Sequence, residues 1–216
     1  MDFWLASANL KLIERYLKLG VFKGVITNPH VVAEEKRNAK ALFKEICEIA
    51  DIAYYQIAGG SAESMLHEAE EIIGIHPEKM RVKVPATLAG FEVISTLSKL
   101  GHFVMATCVP TRAWMLYSFA AGAKAVAPYS SMVQRAGITA KSEEVLKMQR
   151  TIDAQKLDVQ LCTGIYDVTE VPYYASHGIM SCFIWGKDVE KYLTQPLVEQ
   201  AVEGFSGDWE SMKANY

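Results

Sequence analysis

Residues 81–110 read RVKVPATLAGFEVISTLSKLGHFVMATCVP, and the order of patterns in this stretch decides the fold. A short apolar run at 81–84 and another at 103–109 flank a segment at 89–100 with the periodicity of an amphipathic helix. A strand, a helix and a second strand in immediate succession place the two strands parallel, because the helix carries the chain back to the end of the sheet where it began. The alternation continues in both directions. Further strands are expected at 3–6, 24–27 and 52–57 upstream and at 123–127, 159–163 and 180–185 downstream, eight in all. Helical patterns fall at 38–49, 61–73, 112–121, 142–154, 169–177 and 189–193, several opened by a Ser, Thr or Asp suited to capping.

Several of these strands are apolar along their whole length, so both faces are covered, and eight strand–helix units in 216 residues suit closure into a barrel. The expected fold is therefore α/β: one (β/α)8 TIM-barrel domain over 1–216, with a C-terminal helical extension at about 196–216. An open doubly wound sheet is the alternative. No GxGxxG or GxxxxGK[ST] follows any strand, which removes the usual support for the nucleotide-binding versions of that sheet.

Half of the residues are apolar, the net charge is −3 and the sequence pI is near 6.0, so nothing resembles the basic excess that nucleic acid or an anionic membrane needs. No apolar run approaches the length of about 18 residues needed to cross a bilayer. The N-terminus lacks a basic leader, an apolar stretch and a cleavage site, and Cys47, Cys108, Cys162 and Cys182 form no CxxC pair. These features lead us to expect a cytoplasmic protein with structural thiols. The five histidines show no metal-ligand spacing, so no metal is expected.

In a β/α barrel the chemistry comes from the C-terminal ends of the strands. The polar residues there are Thr27 and Asn28 in GVITNP, Gln56 in YYQIAGG, Lys83 in RVKVPAT, Thr107 in MATCVP and Tyr129 in AVAPYSS. Lys83 stands out, because an ammonium between Val82 and Val84 sits in what otherwise reads as barrel core. Two ordinary readings exist for such a lysine: it reaches water from a strand edge, or it pairs with a buried acid. The third is a nucleophilic amine. At a pKa of about 10.4 only about one lysine in a few thousand is the free base at neutral pH, so that role needs desolvation, which an apolar barrel supplies.

GVITNP, RVKVPAT with its following helix, the Thr of MATCVP, AGAKAVAPY and the final PLVEQAVEGFSGDWE resemble, in this order, the small transaldolases and fructose-6-phosphate aldolases. The resemblance covers nearly all of the chain. It implies a class I aldolase or transaldolase that makes or cleaves a carbon–carbon bond of a small ketone or ketose, with an aldehyde as second substrate and no cofactor. Lys83 matches the Schiff-base lysine. Tyr129, Gln56 and Thr107 match the trio that holds a catalytic water and moves protons, Asn28 matches a residue that binds substrate hydroxyls, and Thr27 is expected to support it. The resemblance also implies a ring-like homo-pentamer or homo-decamer, with the C-terminal helix packed on a neighbour. Independently of it, Leu197, Val198, Ala201, Val202 and Phe205 form an apolar face, and Phe205 and Trp209 flank an expected break at Gly207.

The sequence also departs from the family pattern. The first strand of the family ends with an aspartate that contacts a substrate hydroxyl; here that position is Ala6, and Asp2 lies at the wrong end of the strand. Members that take sugar phosphates carry an arginine after the APY tyrosine and a serine after the seventh strand, where this chain has Met132 and Gly164. Arg135 and Arg112 are the cations left to hold an anion, and Trp114, Tyr166 and Trp185 are candidates to line a more aromatic pocket. The departures favour a substrate that is not an ordinary sugar phosphate. They also supply the competing reading, a catalytically silent barrel that binds a metabolite or partner.

Overall fold

The computed structural model describes residues 1–213. Eight strands close into a parallel barrel in sequence order: β1 (Asp2–Ala6), β2 (Phe22–Ile26), β3 (Ala53–Gln56), β4 (Met80–Pro85), β5 (Val104–Val109), β6 (Ala125–Pro128), β7 (Gln160–Gly164) and β8 (Ser181–Trp185). The closure lies between β8 and β1, which pair without interruption from Asp2↔Ser181 to Ala6↔Trp185. The expected (β/α)8 barrel is thus the observed one. Its helices are α1 (Leu10–Leu17), α2 (Pro29–Glu34), α3 (Ala39–Ile49), α4 (Ala62–Ile73), α5 (Leu88–Lys99), α6 (Arg112–Ala120), α7 (Ser130–Arg135), α8 (Lys141–Gln155) and α9 (Glu170–Ser176).

Helix starts are set by side chains. Asn9, Asn28, Asn38, Ser61 and Thr87 accept hydrogen bonds from the backbone N–H groups of Leu12, Val31, Ala41, Ser64 and Gly90, each worth about 1 kcal/mol. α1, α2 and α7 lie outside the helical patterns expected from sequence. The last two have six residues each, too few for a 3.6-residue period to repeat twice. Thr27 falls just beyond the end of β2 rather than inside it. At Gly90 a Cβ would lie 1.8 Å from the Pro85 carbonyl oxygen, so only glycine lets α5 fold back tightly on the strand that carries Lys83.

Trp4, Tyr54, Met105 and Cys162, from β1, β3, β5 and β7, are all buried in one core cluster, one side chain from each alternate strand as barrel packing requires. Trp4 and Tyr54 meet edge to face at 5.0 Å, and the Trp4 indole N–H donates to Ser181 Oγ at 2.9 Å. Burial of each large side chain contributes about 1.5–3 kcal/mol. This layer separates the two mouths of the barrel.

Contacts divide the chain into two compact units, Met1–Gly186 with all eight strands and Lys187–Tyr216. The second unit holds α10 (Val189–Leu193) and α11 (Pro196–Lys213). The break expected at Gly207 is absent: α11 runs through it, since one helical glycine costs only about 1 kcal/mol and its neighbours sustain the helix. None of the α11 residues is buried. Residues 214–216 of the expected extension lie outside the described residues. No described helix is long and apolar enough to cross a membrane.

Candidate active site

Lys83 lies near the C-terminal end of β4, opposite Gln56 of β3 and Met105 of β5. Its side chain projects above the core layer and is only 6% exposed. The amine donates a hydrogen bond to the Thr27 carbonyl oxygen at 2.7 Å, and among the described residues no carboxylate pairs with it. Burial pulls its pKa from 10.5 down to about 8. Cys162 and Cys108 would raise it if ionised. Burial holds the Cys162 thiol near 11 and raises that of Cys108, so both are neutral at working pH and desolvation decides the outcome. At pH 7 about one Lys83 in ten is then the free amine, against about one in three thousand at an unshifted pKa.

Lys83 opens into a cavity of about 380 Å³ that Asn28, Gln56, Thr107, Tyr129 and Arg135 also line. The structure therefore brings together six of the eight residues singled out from sequence. Thr27 stands beside them, lining a small adjoining hollow with Lys83, its hydroxyl donating to the Tyr54 carbonyl oxygen at 2.8 Å. Arg112 is not brought in, which corrects the expectation that it holds an anion here. It starts α6, its backbone N–H donates to Glu144 Oε1 at 2.9 Å, and its side chain lines a separate hollow with Lys147 and Arg150. Asp2 lines the opposite mouth of the barrel with Arg81, so it cannot replace the missing first-strand carboxylate at Ala6.

Asn28 caps α2 through its side-chain oxygen, which leaves its amide N–H groups for the cavity. Tyr129 is 42% exposed, and among the described residues its hydroxyl has no hydrogen-bond partner; partial burial raises its pKa, so it stays a protonated donor at neutral pH. The β5–β6 register breaks between Ala106 and Val109, and Cys108 there adopts φ +59, a left-handed conformation that costs a non-glycine residue about 1–2 kcal/mol. That kink sits directly after Thr107.

A second buried amine was not found from sequence. Lys141, at the start of α8, also lines the cavity. Its three protons are all taken, by the Gly164 carbonyl oxygen at 2.7 Å and by the two Glu170 carboxylate oxygens at 2.8 and 2.7 Å. Burial lowers its pKa while Glu170 works in the other direction. A lysine in the first turn of a helix opposes the helix dipole, and that was the one available sign that it serves something else. Among the described residues Lys83 and Lys141 are the buried lysines, and there Lys141 has a carboxylate partner where Lys83 has none.

Tyr166, Phe183 and Trp185 form an aromatic wall, Phe183 and Trp185 with ring centroids 5.5 Å apart. Tyr166 and Trp185 were among the aromatic candidates; Trp114 instead bonds the Ala86 carbonyl oxygen at 3.1 Å and is not among the cavity residues. Phe183 was not anticipated. A Cβ at Gly164 would lie 2.7 Å from its ring, so the ring occupies the space that a side chain at position 164 would need.

A family model described as transaldolase/fructose-6-phosphate aldolase matches residues 3–182. The chain is 30% identical over 215 residues to a probable transaldolase of Streptococcus agalactiae serotype V, covering 99% of each chain. It is 31% identical over 220 residues to probable transaldolase 2 of Bacillus anthracis, covering 97% of each.

Proposed function

The chain belongs to the transaldolase/fructose-6-phosphate aldolase family, and from that premise we propose that it makes or cleaves a carbon–carbon bond through a Schiff base on Lys83. The observation that carries the reading is a buried amine with no counter-charge among the described residues, its pKa pulled to about 8, facing a cavity with Tyr129, Gln56 and Thr107. The free amine adds to the donor carbonyl, and the carbinolamine loses water to give an iminium, which accepts the electron pair released when the carbon–carbon bond breaks. Tyr129, with Gln56 and Thr107 holding a water, donates the proton that carries away the carbonyl oxygen and later moves protons for the aldol step. Asn28 offers its amide N–H groups to the substrate. Lys141 shapes the site without reacting, tying Glu170 to the carbonyl end of β7.

The substrate reading follows from the anion inventory. Arg135 is the cavity cation besides Lys83 with no carboxylate partner among the described residues; Lys141 is committed to Glu170, Met132 carries no charge, and the Phe183 ring fills the space above Gly164. We therefore expect phosphorylated and unphosphorylated sugars to be used about equally. A phosphate held by charged hydrogen bonds gains about 1.5–3 kcal/mol, so a working anion site would appear as roughly a 10- to 100-fold preference. Product formation from paired ketone donors and aldehydes, with and without phosphate, tests both points. A large preference for phosphate that Arg135→Ala removes would overturn the substrate reading. No product from any pair would favour the silent barrel, the reading to which Ala6 lends support.

Assembly belongs to the same proposal. The unburied α11 carries Leu197, Val198, Val202, Phe205 and Trp209, more exposed apolar surface than an isolated helix leaves in water. We expect a ring-like homo-pentamer or homo-decamer built on this helix. Light scattering after size exclusion should give a mass several times the 24.0 kDa of one chain, and deleting 204–216 should shift it to smaller species. A monomer at micromolar concentration, or an unchanged mass after the deletion, would contradict the claim.

A further inference from the structure

A separate cavity lies at the mouth of the barrel opposite the one that Lys83 faces. It measures about 260 Å³, just below the roughly 300–1,000 Å³ of pockets that hold drug-sized molecules, so a ligand there would be small. The interior of a β/α barrel is normally filled by bulky side chains. Here β6 and β8 bring only Ala125 and Ser181 to the cavity wall, and Ser181 Oγ accepts from the Trp4 indole N–H. Two small residues leave open a level that large ones would fill.

Arg81 stands in this cavity. It is two residues before Lys83 on β4, so both side chains turn to the same interior face, each lining the cavity on its own side of the core layer. The guanidinium carbon of Arg81 lies 4.3 Å from the Phe103 ring centroid and 5.7 Å from that of Tyr54, and one of its nitrogens donates to the Tyr54 hydroxyl at 3.2 Å. Burial pushes the Tyr54 pKa up to about 12, so that hydroxyl is neutral and does not offset the arginine's charge. Asp2, the carboxylate in the wall, lies 3.8 Å from Lys23, and among the described residues no carboxylate pairs with Arg81. The wall thus carries two cations against one anion. A guanidinium laid face-on against a ring keeps edge N–H groups for a ligand, in an orientation set before the ligand arrives.

We propose that this mouth binds a small planar monocarboxylate, its oxygens on the edge of Arg81 and its apolar body against Ile52, Phe103 and Met105. The single excess positive charge fits a monoanion. The guanidinium fork matches a carboxylate through two parallel hydrogen bonds, whereas phosphate would set charged oxygens against the apolar part of the wall. The site stands apart from Lys83 and does not depend on the chemistry proposed for it.

Benzoate is the probe, with benzamide as its uncharged counterpart and inorganic phosphate as the alternative anion. Calorimetry on the full chain should show one benzoate bound per chain with a Kd of about 1 mM or tighter, and weaker binding of benzamide and phosphate. Arg81→Gln should weaken benzoate binding by about 10- to 100-fold, the loss expected for a charged two-point contact. Ala125→Leu, which fills the cavity without altering charge, should weaken it too. Lys83→Met and Arg135→Ala change the other cavity and should leave benzoate binding as it is. No benzoate binding by the wild type, equal binding of benzamide, or tighter binding of phosphate overturns the proposal, and these three results need no variant to fold. Binding that survives Arg81→Gln also overturns it, and its loss in Lys83→Met or Arg135→Ala would place the ligand in the other cavity instead.

Discussion

Lys83→Met will lower kcat by about 10⁴-fold or more, the scale of losing a covalent catalyst whose partners cannot substitute for it. The same substitution will make the protein more stable at neutral pH. Burial lowers the Lys83 pKa from 10.5 to about 8, which means the folded state holds the charged form at a disadvantage of about 3 kcal/mol at pH 7. Methionine removes that disadvantage, although the Thr27 carbonyl oxygen loses its donor and offsets part of the gain. The stabilisation should be fully present below pH 8 and fade as pH rises through 10.5, above which the wild-type amine is neutral in both states. Catalysis in the wild type follows the opposite course: kcat/KM should rise through pH 8 as Lys83 becomes the free base. Thermal melts and pH profiles of wild type and variant check both. Lys83→Met that is less stable at pH 7, with an unchanged rate, would mean the lysine is structural.

Tyr129→Phe should lower kcat by about 10²–10⁴-fold, the range for removing a general acid–base group. The fold should survive, because the side chain is 42% exposed and its hydroxyl has no protein partner among the described residues. The test is steady-state kinetics alongside a melt: an unchanged turnover with an unchanged melt would assign the relay to another group.

The barrel was legible in the sequence because its causes are local. Runs such as 103–109 are apolar on both faces, and Asn38, Ser61 and Thr87 announce the helices they cap. Much of the site was legible for the same reason, since Gln56, Lys83, Thr107 and Tyr129 each stand at a strand end. What the sequence hid depends on partners far apart in the chain. Lys141 reads as a surface lysine until Glu170, 29 residues on, is seen to hold it. The glycine at 164 reads as a lost serine, and only the packing of Phe183 from the next strand shows why no side chain fits there. Arg112 was misplaced because counting residues from a strand end locates a helix start but not the side to which its side chain turns.

Borohydride reduction in the presence of a ketone donor tests the Schiff base most directly, because it converts a transient iminium into a stable secondary amine that a mass spectrum locates. Two buried lysines line the cavity, so the label must choose between them. The account predicts one added donor mass per chain, mapped to the peptide containing Lys83, absent from Lys83→Met and retained in Lys141→Met. No added mass in the wild type, a label on Lys141, or equal labelling of Lys83→Met would contradict it.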